Sequence, residues 1–415
     1  MSASPIPSPT STAEARGYQA FMAGSLVGRI GDWLDLVALN WATLQLTDSA
    51  LHLALINVCR LAPVFALSVP AGVMADRYDR RRLLMLIQVL SAALTVLLGL
   101  MIHQHAAFWA FALVVTVRAC LSAMDAPVRN ALLPNLAPHD RQAQAVALNA
   151  AQMNLARVIG PAIAGAVLAV APALWLFALN AASNLVALAS LAFVPASPQS
   201  ARKVKTKGAM AEALAFVRAQ PTVQSLLVLA IAPMVFGFPY TAMLPLFVRD
   251  LTGLGPTAFG GLLTVSAVGS LVGSGRLAFL RDQQAAGKWL ILSLMGFGLS
   301  LGLFMVSKGW VPAAIAMFLV GLTSQTYRTT SRIALQTAIP DALRGRILSI
   351  ALMDRGFIPL GTLLVGAIAT QFGTGWAGAT MAFGSLAVTG VLVVLRPEIW
   401  RLAPMPSDGD QMRQA

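Results

Sequence analysis

Long apolar runs recur along the chain and are separated by short polar connections. A helix of about 20 apolar residues, rising 1.5 Å per residue, crosses the roughly 30 Å hydrocarbon core of a bilayer. Most of the runs reach that length, so the pattern predicts an all-α membrane protein with twelve spanning helices. We place these helices near residues 18–44, 50–75, 83–102, 106–128, 145–170, 173–195, 222–248, 256–280, 288–307, 311–332, 345–370 and 375–395.

The polar segments divide the chain into two bundles of six helices, residues 18–195 and 222–396. Residues 1–17 are rich in Ser, Pro and Thr and predict a disordered cytoplasmic tail, and residues 397–415 form a second cytoplasmic tail. The longest internal gap, residues 196–221, contains a basic stretch and then MAEALAFVRAQ, whose apolar positions repeat at helical spacing. This cytoplasmic linker therefore predicts an amphipathic helix on the membrane surface.

The two bundles contain similar sequences about 202 residues apart. Residues 131–169 and 333–370 each run through a proline, a basic turn and an apolar helix that contains glycine and proline. Parallel repeats of this kind are typical of one large class of membrane transporter. The similarity therefore predicts two pseudo-equivalent halves that rock to give alternating access to a central site.

The composition agrees with a chain that lies mostly in lipid. Hydrophobic residues make up 57% of the chain and charged residues 11%, whereas soluble proteins carry about 25% charged residues. Such a chain cannot cover its own surface in water, which excludes a soluble enzyme, a nucleic-acid-binding protein and a secreted scaffold. The two cysteines and four histidines show no ligand spacing, and the sequence contains no phosphate-binding loop. We therefore expect no metal, no cofactor and no use of ATP.

The basic residues favour one side of the membrane. If the spans alternate from a cytoplasmic N-terminus, 22 of the 29 Lys and Arg fall in cytoplasmic segments and two, Arg249 and Lys308, on the opposite side. The positive-inside rule then predicts that both termini are cytoplasmic. The formal net charge of +13 is thereby attributed to cytoplasmic loops rather than to a polyanionic partner.

One loop carries a recognisable motif. After the second predicted span the chain reads GVMADRYDRRR, and this segment resembles motif A of the major facilitator superfamily. Asp79 stands where that family has glycine. The resemblance implies that the first aspartate faces the N-terminus of a helix in the other half and latches the outward-facing state, because a carboxylate stabilises the positive end of a helix dipole. The residues that match the motif are Gly72, Asp76, Arg77, Arg80 and Arg81.

Two further motifs match in part. Arg118 in the fourth span resembles the motif B arginine, and ARVIGPAIAG in the fifth span resembles the antiporter motif C through Gly160, Pro161 and Gly165. Motif C favours export, and a packing kink without directional meaning is the alternative. With GDWLDLVALNW in the first span, the motifs resemble the branch of the superfamily that contains enterobactin-type siderophore exporters and macrolide efflux proteins.

Ionisable residues inside the spans mark the candidate transport site, because each costs at least about 2.5 kcal/mol at the bilayer centre. Asp32 and Asp35 lie three residues apart and share one helix face. We expect one of them to bind the coupling proton, and we expect Arg118 to change its proton affinity as the helices rearrange. A static network of Arg and Asp that holds the helices together is the alternative.

Arginines outnumber carboxylates inside the spans by five to four. This excess favours an anionic or polyoxygenated substrate over a lipophilic cation. The residues that we expect to line the substrate cavity are Arg29, Arg60, Arg157, Arg355 and Asn40.

Together these features predict a proton-coupled exporter that works as a monomer by alternating access in the bacterial inner membrane. The expected substrate is a siderophore or a similar polar or anionic small molecule. A multidrug or macrolide proton antiporter is the alternative within transport. A polytopic membrane enzyme acting on lipids is the remote alternative, because the sequence shows no catalytic grouping at the membrane edge.

Overall fold

The computed structural model describes residues 12–137, 141–194, 209–279 and 286–396, and all regular secondary structure in those ranges is helical. The all-α prediction is therefore confirmed. The first helices are α1 (Thr12–Thr47), α2 (Ala50–Ala66), α3 (Ser68–Arg77), α4 (Arg80–His103), α5 (Phe108–Leu136), α6 (Gln142–Val170) and α7 (Leu174–Leu191). The later helices are α8 (Ala209–Ala219), α9 (Pro221–Ala232), α10 (Tyr240–Phe247), α11 (Pro256–Phe279), α12 (Ala286–Val306), α13 (Trp310–Thr337), α14 (Asp341–Ala351), α15 (Ile358–Phe372) and α16 (Thr374–Leu395).

Nine helical segments of the described ranges are long and apolar enough to cross a membrane. α2 is apolar but shorter than those nine. α1 and α13 are long, with 36 and 28 residues, and both carry charged side chains. The prediction of twelve spans in two repeats is compatible with this arrangement and stays a prediction.

The N-terminal boundary differs from the sequence prediction. α1 begins at Thr12, so residues 12–17, which were expected to be disordered, are helical. The physical reason is that this segment, TAEARG, contains alanine, glutamate and arginine, which are good helix formers. The rest of the predicted tail, residues 1–11, lies outside the described ranges, as do residues 397–415.

The predicted linker contains a helix where its apolar periodicity indicates one. α8 covers most of MAEALAFVRAQ, and Glu212 near its start forms an ion pair with Arg346 of α14, with an N–O distance of 2.7 Å. The basic stretch before α8 lies outside the described ranges. The location of this helix on a membrane surface stays a prediction.

The chain divides into two units. Unit 1 comprises Met1–Leu39 and Pro63–Arg202, and unit 2 comprises Asn40–Ala62 and Lys203–Ala415. The segment Asn40–Ala62, which contains the end of α1 and most of α2, groups with the later helices. The boundaries of the two predicted bundles stay a prediction.

Close helix contacts in unit 1 depend on small residues. Gly24 and Gly31 of α1 lie against Ser190 and Ser183 of α7, and a Cβ added to Gly31 would lie 2.8 Å from the Cβ of Ser183. α4 packs against both α5 and α7. Without a hydrophobic driving force in lipid, such small residues let helix backbones approach and gain dispersion contacts.

Small residues also allow close helix contacts in unit 2. A Cβ added to Gly273 of α11 would lie 2.6 Å from the carbonyl oxygen of Leu322 in α13, and Ser270 donates a hydrogen bond of 3.1 Å to the carbonyl of Gly321. The segment Asn40–Ala62 joins this unit through Trp41, whose ring stacks on Phe259 at a centroid distance of 6.3 Å.

Three interruptions distinguish unit 2 from the regular helices α4 to α7. π-helical turns occupy Pro233–Gly237 and Val248–Thr252, on either side of α10. A 3-10 segment, Leu352–Phe357, separates α14 from α15. Pro233 and Pro239 explain the first break, because proline removes a backbone donor and clashes with the preceding turn.

Candidate transport site

The most deeply buried charges of unit 1 are Asp35 and Arg118, whose residues are 4% and 8% exposed. Both Oδ atoms of Asp35 in α1 accept hydrogen bonds from the two terminal nitrogens of Arg118 in α5. Arg118 also donates a hydrogen bond of 3.1 Å to Thr95 of α4. The structure therefore brings the two predicted proton-coupling residues together as a bidentate pair that ties three helices.

Asp32, one helical turn before Asp35, has a different environment. Its residue is exposed, although it lies close enough to Arg29, Arg118 and Arg129 to interact with them electrostatically. Three residues of α-helix correspond to a rotation of 300°, so the two side chains differ by about 60° around the axis. That offset is enough to place the carboxylate of Asp35 on Arg118 and to leave Asp32 at the surface.

A second ion pair forms about two to three turns further along α5. Arg129 binds Asp125 through two hydrogen bonds of 2.9 and 3.0 Å and donates a third, of 2.7 Å, to Ser25 of α1. Gln88 of α4 donates to the same carboxylate at 3.1 Å. This network ties the same three helices as the Asp35 pair, at a different level of α5.

Arg29 is the candidate cavity residue with the clearest contacts. Its terminal nitrogen donates a hydrogen bond of 2.8 Å to Asn149 of α6. Its Nε is buried and has no hydrogen-bond partner among the described residues. A buried donor without a partner costs free energy, so a ligand that accepts from Arg29 would gain from this arrangement.

The other predicted cavity residues separate into two groups. Asn40 is completely buried and accepts a hydrogen bond of 2.6 Å from Asn57 of α2, which makes it a contact between α1 and α2 rather than part of an open cavity. Arg60 and Arg157 are half-buried, and Arg355 is exposed in the 3-10 segment. These three arginines reach the surface of the protein, whereas Asn40 does not.

The structure of the motif A loop accounts for Asp79, the position at which the loop departs from the family pattern. Asp79 is the N-cap of α4, and its side chain accepts a hydrogen bond of 2.7 Å from the backbone N–H of Arg82. An N-cap aspartate satisfies an orphan helix donor and opposes the helix dipole. The residue that replaces the glycine therefore builds the turn through a cap instead of through backbone freedom.

The arginines of the loop bind helix carbonyls within unit 1. Arg80 donates to the carbonyl of Ala131 at 3.1 Å, and Arg81 donates to Leu191 and Ala192 at the end of α7 at 2.9 and 3.1 Å. Cations at a helix C-terminus satisfy carbonyls that have no partner in the helix. The remaining matching residues are Gly72 and Arg77 in α3, and Asp76, whose side chain lies outside the described part, so the latch stays a prediction.

The motif C segment packs α6 tightly on α1. A Cβ added to Gly160 would lie 3.2 Å from both the carbonyl oxygen of Ile30 and the Cγ of Trp33. Pro161 and Gly165 are buried in the same helix, which continues without a break from Gln142 to Val170. The packing role of this motif is therefore visible, and its meaning for transport direction stays a prediction.

Sequence reasoning missed an ion-pair cluster at the far end of unit 2. Arg249 pairs with Asp48 at 2.5 Å and with Asp250 at 2.7 Å, and Asp250 accepts a hydrogen bond of 2.6 Å from Thr374. The cluster links the α1–α2 turn, the second π-turn and the start of α16. A lone arginine on the side with few basic residues was the only signal in the sequence.

Arg328 is a second residue that was missed. The predicted span ended at residue 332, which placed this arginine near the cytoplasmic edge, but α13 continues to Thr337. Arg328 therefore lies nine residues, or about 13 Å, inside the helix end. The Cζ atom of its guanidinium lies over the ring of Phe238, 4.0 Å from the ring centroid.

Comparison with known proteins places the chain in a family. Residues 8–408 match the family model described as transmembrane secretion effector. The staphyloferrin A transporter of Staphylococcus aureus is 31% identical over 385 residues, which cover 91% of this chain and 96% of the relative. The enterobactin exporter of Shigella flexneri is 25% identical over 348 residues, which cover 81% and 80%.

A solved structure shows the same fold. The crystal structure of the nucleoside transporter NupG matches with a TM-score of 0.76 at 12% identity and covers 91% of this chain and 98% of that one. At this identity the match concerns the fold alone, which is that of the major facilitator superfamily. The chain therefore belongs to the transmembrane secretion effector family of that superfamily and is a multi-pass membrane transporter, not an enzyme.

Proposed function

We propose that this protein is a proton-coupled exporter of a siderophore or a similar polar, anionic small molecule. The observation that carries the proposal is the buried pair of Asp35 and Arg118, shared by α1, α4 and α5. An ionisable pair inside a membrane protein is costly and marks a relay or a substrate path. The proton and the substrate bind alternately, and each binding step biases the access of the site.

The proton acts through the ion pair. Protonation of Asp35 removes one charge of the pair and weakens the bidentate contact that ties α1 to α5. Loss of the proton restores the contact and pulls the helices together again. The helix pair thus has two arrangements that differ by one proton, which is the requirement for a coupled transporter.

The substrate contacts arginines of unit 1. Arg29 lies on the same helix as the proton site, and both Arg29 and Arg157 of α6 are half-buried. Arginines suit carboxylate or polyoxygenated groups, since their planar donors bind two oxygens at once. The similarity to a staphyloferrin A transporter and an enterobactin exporter supports this substrate class and outward transport.

The proposed location is the inner membrane of a bacterium, with both termini in the cytoplasm. The bias of basic residues toward one set of loops supports this orientation. Cysteines introduced into the two tails and into the α12–α13 turn can be labelled in intact cells with a reagent that does not cross the membrane. Labelling of the turn alone is expected, and labelling of either tail would contradict the proposed orientation.

The function is tested in cells grown under iron limitation, with and without the gene. Mass spectrometry of cells and medium is expected to show a chelator that accumulates inside the deletion strain and disappears from its medium. An unchanged chelator together with increased drug sensitivity would contradict the substrate class and favour multidrug efflux. Complementation with Asp35→Asn is expected to fail. Complementation with Asp32→Asn, the variant of the exposed neighbour, is expected to keep proton-coupled export.

A further inference from the structure

Two helix breaks lie side by side in unit 2. The π-turn Pro233–Gly237 packs against both the 3-10 segment Leu352–Phe357 and α15. Gly361 of α15 allows this approach, because an added Cβ would overlap the backbone of Val235 in the π-turn. π-turns and 3-10 segments within longer helices often mark functional sites, and transporters place substrate sites at interrupted helices.

An arginine and aromatic rings are fixed at one of these breaks. Phe238 follows the π-turn directly, and its ring lies 5.3 Å from that of Phe297 in α12. The guanidinium of Arg328 lies 4.0 Å above the Phe238 ring. A guanidinium over an aromatic face is held by cation–π attraction, and its five N–H donors can serve more than one acceptor. The ring therefore helps to hold the guanidinium of Arg328 in place.

The other break adds two charges. Asp354 is partly buried, accepts a hydrogen bond from the backbone N–H of Arg355 and lies within electrostatic range of Arg328. Tyr327, on the same helix as Arg328, is buried and also within range of Asp354. Two arginines against one aspartate leave an excess positive charge where the two breaks meet.

We propose that Arg328, which lies over Phe238 between the two breaks, binds a carboxylate group of the substrate. The site suits a carboxylate because the ring contact helps to hold the guanidinium in place and a carboxylate can accept two parallel hydrogen bonds from a guanidinium. A cationic ligand is repelled by Arg328 and Arg355 together. The proposal rests on the proposed function for the existence of an anionic substrate and adds the residue that recognises it.

Asp354 sets the strength of this site. Its negative charge competes with an incoming carboxylate for Arg328, so neutralising it strengthens anion binding. The exposed Arg332, one turn further along α13, provides a matched control of equal charge on the same helix. The variants Arg328→Gln, Asp354→Asn and Arg332→Gln therefore have three different expected results.

Citrate is the probe, and its neutral trimethyl ester is the chemical control. Binding is measured by calorimetry with the purified full-length protein in lipid nanodiscs at constant ionic strength. Citrate is expected to bind the wild type and the ester not to bind. We expect Arg328→Gln to weaken citrate binding roughly tenfold or more, Arg332→Gln to leave it unchanged, and Asp354→Asn to tighten it.

Unligated melting temperatures identify variants that fail to fold. If Arg328→Gln is unfolded, Phe238→Leu keeps the charge but removes the aromatic contact to Arg328 and is expected to weaken citrate binding severalfold. Absence of citrate binding to the wild type, equal binding of the ester, or equal affinity of the Arg328 and Arg332 variants would overturn the site. If the citrate measurements contradict the Arg328 site but cells still export a chelator, the proposed function is retained. Citrate binding as expected without any export would refute the function instead.

Discussion

The two units differ in the contacts that their arginines make. In unit 1 the buried arginines meet carboxylates, Arg118 on Asp35 and Arg129 on Asp125, and the helices α4 to α7 run without interruption. In unit 2 the ion pairs of Arg249 and Arg346 are exposed, and Arg328 lies over an aromatic ring beside two helix breaks. The contrast fits the proposed function, in which Asp35 of unit 1 binds the proton, and the proposed anion site at the helix breaks of unit 2.

This difference has a physical basis. Removing one partner of a buried ion pair is strongly destabilising. Such a pair therefore holds its helices in one arrangement until a proton changes the charge of the carboxylate. A broken helix has lost backbone hydrogen bonds and rearranges at lower cost. The following predictions break or sharpen the contrast, from the largest expected effect to the smallest.

Asp35→Asn has the largest expected effect. It leaves Arg118 buried without its counter-charge, which costs about 3–5 kcal/mol when such a pair is broken. A large fall in melting temperature of the purified protein is expected, together with loss of export in cells. The double variant Asp35→Asn with Arg118→Gln is expected to recover stability but not export. Recovery of both would show that the pair is purely structural.

Gly160→Ala tests the tight packing of α6 on α1 in unit 1. The added Cβ meets Trp33 and the Ile30 backbone, and overpacking of this kind costs about 1–3 kcal/mol. Gly361→Ala is expected to have a comparable effect in unit 2, where the obstacle is the Val235 backbone. Gly375→Ala is the control, because nothing lies within 4 Å of its added Cβ. Thermal unfolding is the measurement, and equal melting temperatures for all three variants would contradict the packing account.

Asp79→Ala removes the N-cap of α4. The loss of a cap costs about 1 kcal/mol, whereas Asp79→Gly, which restores the family residue, costs only a few tenths. The two variants are compared by melting temperature in the same lipid. A larger loss for glycine than for alanine would show that the turn depends on something other than the cap.

Arg249→Gln has the smallest expected effect on stability. Its partners Asp48 and Asp250 are both reachable by water, and exposed ion pairs contribute about 0–1 kcal/mol and are screened by salt. The difference in melting temperature from the wild type is expected to shrink further at high salt. A large, salt-independent difference would mean that the cluster is shielded and as important as the pairs of unit 1.

Several features of the fold and site could be predicted because they follow from local pattern. Apolar length predicted the helices, and helical periodicity predicted α8. The motifs predicted the superfamily, and the cost of intramembrane charge predicted that Asp35 and Arg118 matter. Their pairing was one of several possibilities, since Asp32 and Asp35 are equivalent in sequence and only the rotation of α1 against α5 separates them.

The features that were missed depend on tertiary contacts. Hydropathy ended the tenth predicted span at residue 332, because the polar run that contains Arg328 resembles a helix edge. Asn40 resembled a cavity residue because a polar side chain in a span suggests a ligand, but Asn57 of the next helix satisfies it. No sequence pattern states which polar side chains will find each other across helices, and the Arg249 cluster was missed for the same reason.

The central claim is that Asp35 is the proton-binding carboxylate. Infrared difference spectroscopy of the purified protein in lipid measures it directly, because a protonated carboxylic acid has a carbonyl stretch that a carboxylate lacks. As pH falls, the wild type is expected to gain a band that is absent in Asp35→Asn and present in Asp32→Asn. A band that persists unchanged in Asp35→Asn would contradict the account and assign the proton to another carboxylate.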